Sequence, residues 1–228
     1  MIDIHTHILP FVDDGSEDEK TSLEMLKLLK KEGVTDVILT PHYRGKYRPS
    51  PAKLKGAFEK FNQLKTENNI DVNLYLGEEI FDLIDFASTK LGKRTITLND
   101  SKFVLIEFPY FSACDIVEHA YNVYTFGLVP IIAHVERYEY ITFDLVQELK
   151  SVKALIQVNA SSVVGKAPKF SRKITKKLLK HRLVDFVASD IHDGREPCLQ
   201  KAYKLVKRRY GFNYANKIFN ENAKEIIK

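Results

Sequence analysis

The sequence predicts a parallel α/β fold; a barrel of about seven βα units fits its length, with a doubly wound open sheet as the alternative. Three observations lead there. Short β-branched runs alternate with segments of helical apolar spacing. Histidines and acidic residues recur just past the C-terminal ends of those runs. The Gly-rich loops that mark doubly wound nucleotide sites are absent. At 228 residues the chain is read as one domain, residues 1–228, without linker, low-complexity stretch or fixed-period repeat.

The first strand is Ile2 to Ile4, which delivers His5 and His7 with one residue between them, and Asp13 and Asp14 follow in a turn closed by Gly15. On an extended backbone, alternate side chains share a face, so the two imidazoles point the same way. Ser16 to Lys20 reads as a helix start with Ser16 as cap; Leu23, Leu26 and Leu29 give its buried face, and Gly33 ends it. Val34 to Thr40 is a β-branched strand bounded by Pro41, and His42 follows. Tyr43 to Arg48 is a basic and aromatic loop with the content of a lid, or of an exposed turn. Pro49 and Pro51 suit entry into a helix carrying Leu54, Phe58, Phe61 and Leu64.

Asp71 to Leu76 returns to strand character and ends in Gly77-Glu78-Glu79. Ile84 to Leu91 reads as a short helix and Ile96 to Leu98 as a short extended piece, before a strand from Phe103 to Ile106 with Glu107 at its end. The alternation then repeats. Helices are expected over Asp115 to Phe126, Phe143 to Lys150 and Ser171 to His181; strands over Val129 to Ala133, Ala154 to Val158 and Leu183 to Ala188. Gln200 to Tyr210 and Tyr214 to Ile227 close the chain as helices.

Hydrophobic content is 44%, and no apolar run approaches the roughly 20 residues that span a bilayer, so direct membrane insertion is not expected. Polar His5, His7, Asp13 and Asp14 stand where a signal peptide would be apolar. Two cysteines, Cys114 and Cys198, form no CxxC pair and suit a reducing, cytoplasmic setting. The net charge is +5, much of it in Lys166 to Arg182. That run reads first as a solvated helix face and second as a surface for an acidic partner; no nucleic-acid-binding signature accompanies it.

In a parallel barrel the C-terminal strand ends share the face on which catalytic sites are built. His5, His7, His42, Glu79, Glu107, His134, Asp190 and His192 all fall there, whereas His119 and His181 lie inside predicted helices. With an aspartate from the first turn, so many imidazoles and carboxylates exceed the needs of one ion, which predicts two or three divalent cations. Nitrogen and oxygen donors without thiolate favour Mn, Fe, Zn or Co over Ca or Mg. Such clusters suit hydrolysis at phosphorus. Arg137 in HVER and Arg195 in HDGR stand close in sequence to these donors and offer forked cations for phosphoryl oxygens. Cysteine-phosphatase chemistry needs Cys-x5-Arg, but Ala120 and Lys204 stand at the Arg positions after Cys114 and Cys198; no serine occupies a GxSxG elbow either.

The segments IDIHTHILPFVDDG, TPHYRGKY, GEEI, LNDSKFVLIEFP, PIIAHVERY, IQVNASSVVG and VASDIHDGR resemble the manganese-dependent tyrosine phosphatases of bacterial capsular and exopolysaccharide operons. Those enzymes belong to the polymerase-and-histidinol-phosphatase superfamily. The resemblance runs from residue 1 to the final helix. It implies a distorted (β/α)7 barrel and a trinuclear site with ligands at His5, His7, Asp14, His42, Glu79, Glu107, His134, Asp190 and His192, Asp14 rather than Asp13 being its choice. It further implies phosphate binding by Arg137 and Arg195. The substrate it implies is phosphotyrosine in the C-terminal tail of a membrane-associated tyrosine autokinase that controls polysaccharide export. Only Asp193 and Gly194 separate His192 from Arg195, a shorter segment than in relatives. A histidinol-phosphatase-like phosphomonoesterase and a non-catalytic metal-bound regulatory module are the competing readings.

Overall fold

The computed structural model describes residues 1–81 and 95–228; the helix expected over Ile84 to Leu91 lies outside them. The order is β1 (Ile2–Thr6), α1 (Glu19–Lys31), β2 (Asp36–Leu39), β3 (His42–Tyr43), α2 (Pro51–Glu67), β4 (Asn73–Leu76) and β5 (Glu79–Phe81). There follow β6 (Phe103–Glu107), α3 (Ile116–Thr125), β7 (Val129–Ile132), α4 (Phe143–Ser151), β8 (Leu155–Asn159), α5 (Ala160–Val164) and α6 (Lys169–Lys180). The chain ends in β9 (Phe186–Ala188), α7 (Leu199–Tyr210), α8 (Phe212–Asn216) and α9 (Asn222–Lys224). Between α8 and α9 the helix widens to a π segment at Lys217–Glu221, so the predicted final helix is present but irregular.

Every strand pairing in the two sheets is parallel. One sheet has the order β1-β2-β4 and the other β3-β5-β6-β7-β8-β9. The chain after β9 returns to β1: Thr6 bridges Ile191, His5 O accepts from Asp190 N at 3.0 Å, and Ile191 O accepts from His7 N at 3.1 Å. The strands therefore curl, and residues from β1, β2, β6, β7 and β9 (Ile4, Ile38, Leu105, Ile131, Phe186) pack on one another inside the curl, with Ile226 of the C-terminal segment. A larger cluster, including Leu26, Leu29, Val104, Ile132, Leu149 and Leu178, joins the helices to the outside of the sheet. This is the curled parallel architecture the βα alternation predicts.

Two local departures from the sequence reading have physical causes. The cap of α1 is Asp18, whose carboxylate accepts from Thr21 N at 2.7 Å, while Ser16 turns inward to Ser22 Oγ at 2.8 Å. Beyond β2 and β4 the backbone breaks at Thr40-Pro41 and Gly77-Glu78 and then resumes as β3 and β5, with His42 in register with Glu79. Gly77 is needed at its break, because a Cβ there would stand 2.5 Å from Leu98 Cδ2. Ile96 is extended without strand pairing, and Leu98 opens a 3-10 turn. On α6 the sequence reading of a solvated face is met: Ile174, Leu178 and Leu179 are buried while Lys173, Lys176 and Lys180 are exposed.

Candidate metal centre

The breaks and strand ends carry the predicted side chains to one place. His5 is the last residue but one of β1, Glu107 ends β6, His42 and Glu79 open β3 and β5, and His134 and Asp190 follow β7 and β9 in left-handed backbone, φ 30° and 51°. Eight of the nine predicted ligand residues fall into four overlapping groups: His7-His42-His192, His5-His7-Asp190, His5-Glu79-His134 and His42-Glu79-Glu107. Within each, one donor atom per residue lies within 4.8 Å of the others. The ninth, Asp14, is half exposed at the edge, its Oδ1 3.5 Å from His42 Nε2. Its neighbour Asp13 is buried and orients the site instead: Asp13 Oδ2 accepts from His7 Nδ1 at 2.7 Å and from His42 N at 2.9 Å. His119 lies beside Phe108 on α3, and His181 caps α6 against Phe143, both away from the cluster.

The hydrogen bonds fix which imidazole nitrogens are free. Gln157 Oε1 accepts from His134 N at 2.7 Å and lies 3.1 Å from His5 Nδ1, while Gln157 Nε2 donates to Asn159 Oδ1 at 2.8 Å. Its oxygen therefore faces His5, whose Nδ1 carries the proton. Asp13 does the same for His7: the His7 ring outweighs the effect of burial and holds the Asp13 carboxyl down at about 2, so Asp13 only accepts. Both histidines then turn Nε2 inward, and these atoms are 3.1 Å apart, close enough to share one proton. A metal cation would take the place of that shared proton, each ring then offering its Nε2 lone pair.

Glu79 is the centre of the cluster. Its Oε1 accepts from His134 Nε2 at 2.8 Å and lies 3.3 Å from His5 Nε2, and its Oε2 is 2.6 Å from His42 Nδ1 at an angle that makes no hydrogen bond. A buried nitrogen and oxygen so close without a shared proton fit joint ligation. Burial opposes ionisation of Glu79, but His5 and His42 outweigh it and hold the carboxyl well below its ordinary value. Conversely burial opposes a charge on His5, and Glu79 with Asp190 overcomes it, raising the ring to about 10. His192, stacked on His7 at 4.2 Å, is lowered to about 4 by burial and by His7, which leaves it neutral. The field of the carboxylates thus favours positive charge at this point, and the donor set fits divalent cations.

Arg137 Nη1 donates to Asp190 Oδ2 at 3.1 Å, and its guanidinium lies 4.4 Å from the centroid of the Tyr110 ring. Arg195 is exposed, its Nη1 3.5 Å from His192 Nδ1. It lines the same cavity of about 420 Å³ as Arg137, Asn159, Lys166 and Asp190, so the two arginines share a rim rather than a single bond partner. The Tyr43 to Arg48 segment is not a free lid: Tyr43 is buried, Arg44 pairs with Tyr47 in a tight turn, and Arg44 Nη1 donates to Glu107 Oε2 at 2.8 Å. Sequence reasoning missed Arg44, Gln157, Asn159 and Tyr110. Gln157 carried a signal, since it is an amide flanked on both sides by apolar residues within the strand Leu155–Asn159.

A family model described as "Capsular polysaccharide synthesis, CpsB/CapC" matches residues 1–228. The chain is 35% identical to the tyrosine-protein phosphatase CpsB of Streptococcus pneumoniae, over all of this chain and 98% of that protein. It is 31% identical to the tyrosine-protein phosphatase YwqE of Bacillus subtilis, over all of this chain and 92% of that one. A solved structure from work on YwqE of B. subtilis and CpsB of S. pneumoniae, described as unique metal-dependent tyrosine phosphatases, superposes with a TM-score of 0.93 at 30% identity, covering this chain fully and 94% of the other. An organophosphorus hydrolase from Deinococcus radiodurans, 11% identical with a TM-score of 0.60 over all of this chain and 92% of its own, shares the fold alone.

Proposed function

This chain belongs to the CpsB/CapC family of capsular polysaccharide synthesis proteins, and on that premise we propose that it is a metal-dependent protein-tyrosine phosphatase. One observation carries the reading: His5 and His7, each with Nδ1 committed to a fixed acceptor, bring their Nε2 atoms 3.1 Å apart beside Glu79 and Asp190. The ligands in this reading are His5, His7, Asp14, His42, Glu79, Glu107, His134, Asp190 and His192, holding two or three ions, with Mn²⁺ the proposed metal. Asp14 joins through its approach to His42. In this reading β2 with β3 and β4 with β5 are single broken strands of a distorted (β/α)7 barrel.

Bound there, divalent cations supply Lewis acidity toward phosphoryl oxygens and make water acidic enough to furnish hydroxide near neutral pH. The chain does the rest. Glu79 and Asp190 neutralise the cations, Gln157 and Asp13 hold the tautomers, and Arg137, pinned by Asp190 and Tyr110, turns its remaining N–H donors to the phosphoryl group. Arg195 contributes from the exposed side of the cavity. The phenol of tyrosine, with a pKa of about 10, leaves without a strong general acid. The biological substrate in this reading is the phosphotyrosine tail of a membrane-associated tyrosine autokinase, met in the cytoplasm. No helix among the described residues is long and apolar enough to cross a membrane.

The test is phosphate release by chelator-stripped protein, with and without Mn²⁺, from a phosphotyrosine peptide and from histidinol phosphate. Metal-dependent turnover favouring the peptide is expected. Preference for histidinol phosphate would reassign the substrate class, and no turnover despite bound metal would leave a regulatory module.

A further inference from the structure

Two cavities meet at Arg137. The first, of about 420 Å³, is polar and charged, lined by Asn159, Lys166, Asp190 and Arg195 among others. The second, of about 520 Å³, is walled by Tyr110, Phe111 and Phe170 and carries Glu139. Arg137, Pro168 and Ser171 line both, so the two are halves of one groove that reaches the metal centre at Asp190. Phe111 is 79% exposed and Phe170 43%. A single exposed phenyl is ordinary, but two opening on one cavity beside a pinned arginine make a surface that a ligand would cover.

We propose that this aromatic half is the ring site of the substrate: Phe111 and Phe170 flank the phenyl of a phosphotyrosine whose phosphoryl group is held at Arg137, and so set a preference for aryl over alkyl phosphates. The proposal deepens the phosphatase reading and rests on it. The walls are prepared for this. Glu139 N donates to Tyr110 O at 2.9 Å, and the Tyr110 ring stacks on buried Tyr138 with centroids 6.0 Å apart, which fixes the loop that presents Phe111. Phe170 sits in the first turn of α6, whose buried face anchors it. Glu139 carries a negative charge into this half and repels a phosphate there, so the anion belongs at Arg137 and the neutral ring among the phenyls. A phosphoserine at Arg137 has no ring for Phe111 and Phe170 to cover. Aromatic rings pack edge-to-face or offset with a modest gain beyond area burial, and two flanking rings correspond to about tenfold in affinity.

The experiment compares wild-type protein with the double variant Phe111→Ala/Phe170→Ala, whose exposed sites make loss of the fold an unlikely confounder that circular dichroism checks. With Mn²⁺ present, kcat/KM is measured for a phosphotyrosine peptide and for an alkyl phosphate, glycerol phosphate. The ratio of the two is expected to fall about tenfold, mainly through KM of the peptide; Phe111→Tyr/Phe170→Tyr should restore it. In parallel, Kd is measured for a peptide bearing phosphonomethylphenylalanine and for one bearing an alkyl phosphonate. An unchanged aryl-to-alkyl ratio in the double variant overturns the proposal. Should the wild-type protein turn over neither substrate, the phosphatase reading falls, and the Kd ratio still decides the ring site.

Discussion

Replacing Asp3 by Asn is expected to flatten the pH dependence of stability. Asp3 is fully buried on β1, where Oδ1 accepts from Ser189 N at 3.0 Å and from His5 N at 3.5 Å, and Oδ2 has no partner. Burial outweighs those bonds and pushes the carboxyl from 3.8 up to about 6. A folded-state pKa above the unfolded one means that the folded chain holds the proton more tightly. The resulting stabilisation is fully present below 3.8, where it amounts to about 3 kcal/mol, and is lost as pH rises through 6. At pH 5 about 1.4 kcal/mol of it remains and at pH 8 essentially none. An asparagine keeps Oδ1 as acceptor and places an amide where the protonated acid had its O–H, so it copies the low-pH state at every pH. Urea unfolding of both proteins at pH 5 and pH 8, with metal chelated so that cation binding contributes at neither, measures the effect. The drop in unfolding free energy from pH 5 to pH 8 should be smaller in Asp3→Asn by about 1.4 kcal/mol. An identical pH dependence in the two proteins would mean that Asp3 is ionised throughout, and would refute the argument.

Three further outcomes follow from contacts at the site. Glu79→Gln removes the carboxylate that approaches His5, His42 and His134, and should take the metal-to-protein ratio after Mn²⁺ loading and gel filtration to about half of wild type or less, read by elemental analysis. A Cβ on Gly15 would stand 2.1 Å from His7 O and 2.2 Å from His7 Cβ, so Gly15→Ala must displace the His7 backbone and should weaken Mn²⁺ affinity about tenfold or more in a chelator competition; unchanged affinity would count against His7 as a ligand. Tyr138→Phe leaves Phe108 N and Ala133 O without the buried hydroxyl that lies 3.1 and 2.8 Å from them, and should cost about 1–3 kcal/mol in urea unfolding while leaving metal affinity near wild type.

The strands were legible because their β-branched runs are short and bounded, and each of the seven predicted segments contains or overlaps a strand of the structure. The candidate ligands were legible for a related reason: parallel pairing puts every strand's C-terminal end on one face, so a residue's place in its segment predicts its place in space. That rule reaches only the residues at strand ends. Arg44 meets Glu107 and Tyr110 meets both Glu107 and Arg137 through loops, whose paths no periodicity encodes. The breaks after β2 and β4 were hidden too, since Thr40-Pro41 and Gly77-Glu78 read as ordinary strand ends when in fact the chain resumes and brings His42 opposite Glu79.

Asp13 and Asp14 show the limit most sharply, because two adjacent aspartates carry the same chemistry and differ only in where the turn points them. The structure turns Asp13 inward to His7 and to the amide of His42, and leaves Asp14 at the rim within reach of the His42 ring. Their roles follow from that difference. A carboxylate already committed to three N–H donors, His7 Nδ1 and the amides of Gly15 and His42, and held at about 2 acts by fixing a tautomer, whereas one without those bonds has lone pairs to offer a cation. The same division runs through the whole site: Gln157 serves His5 as Asp13 serves His7, so the neutral amide and the acid hold the two rings with Nε2 turned inward.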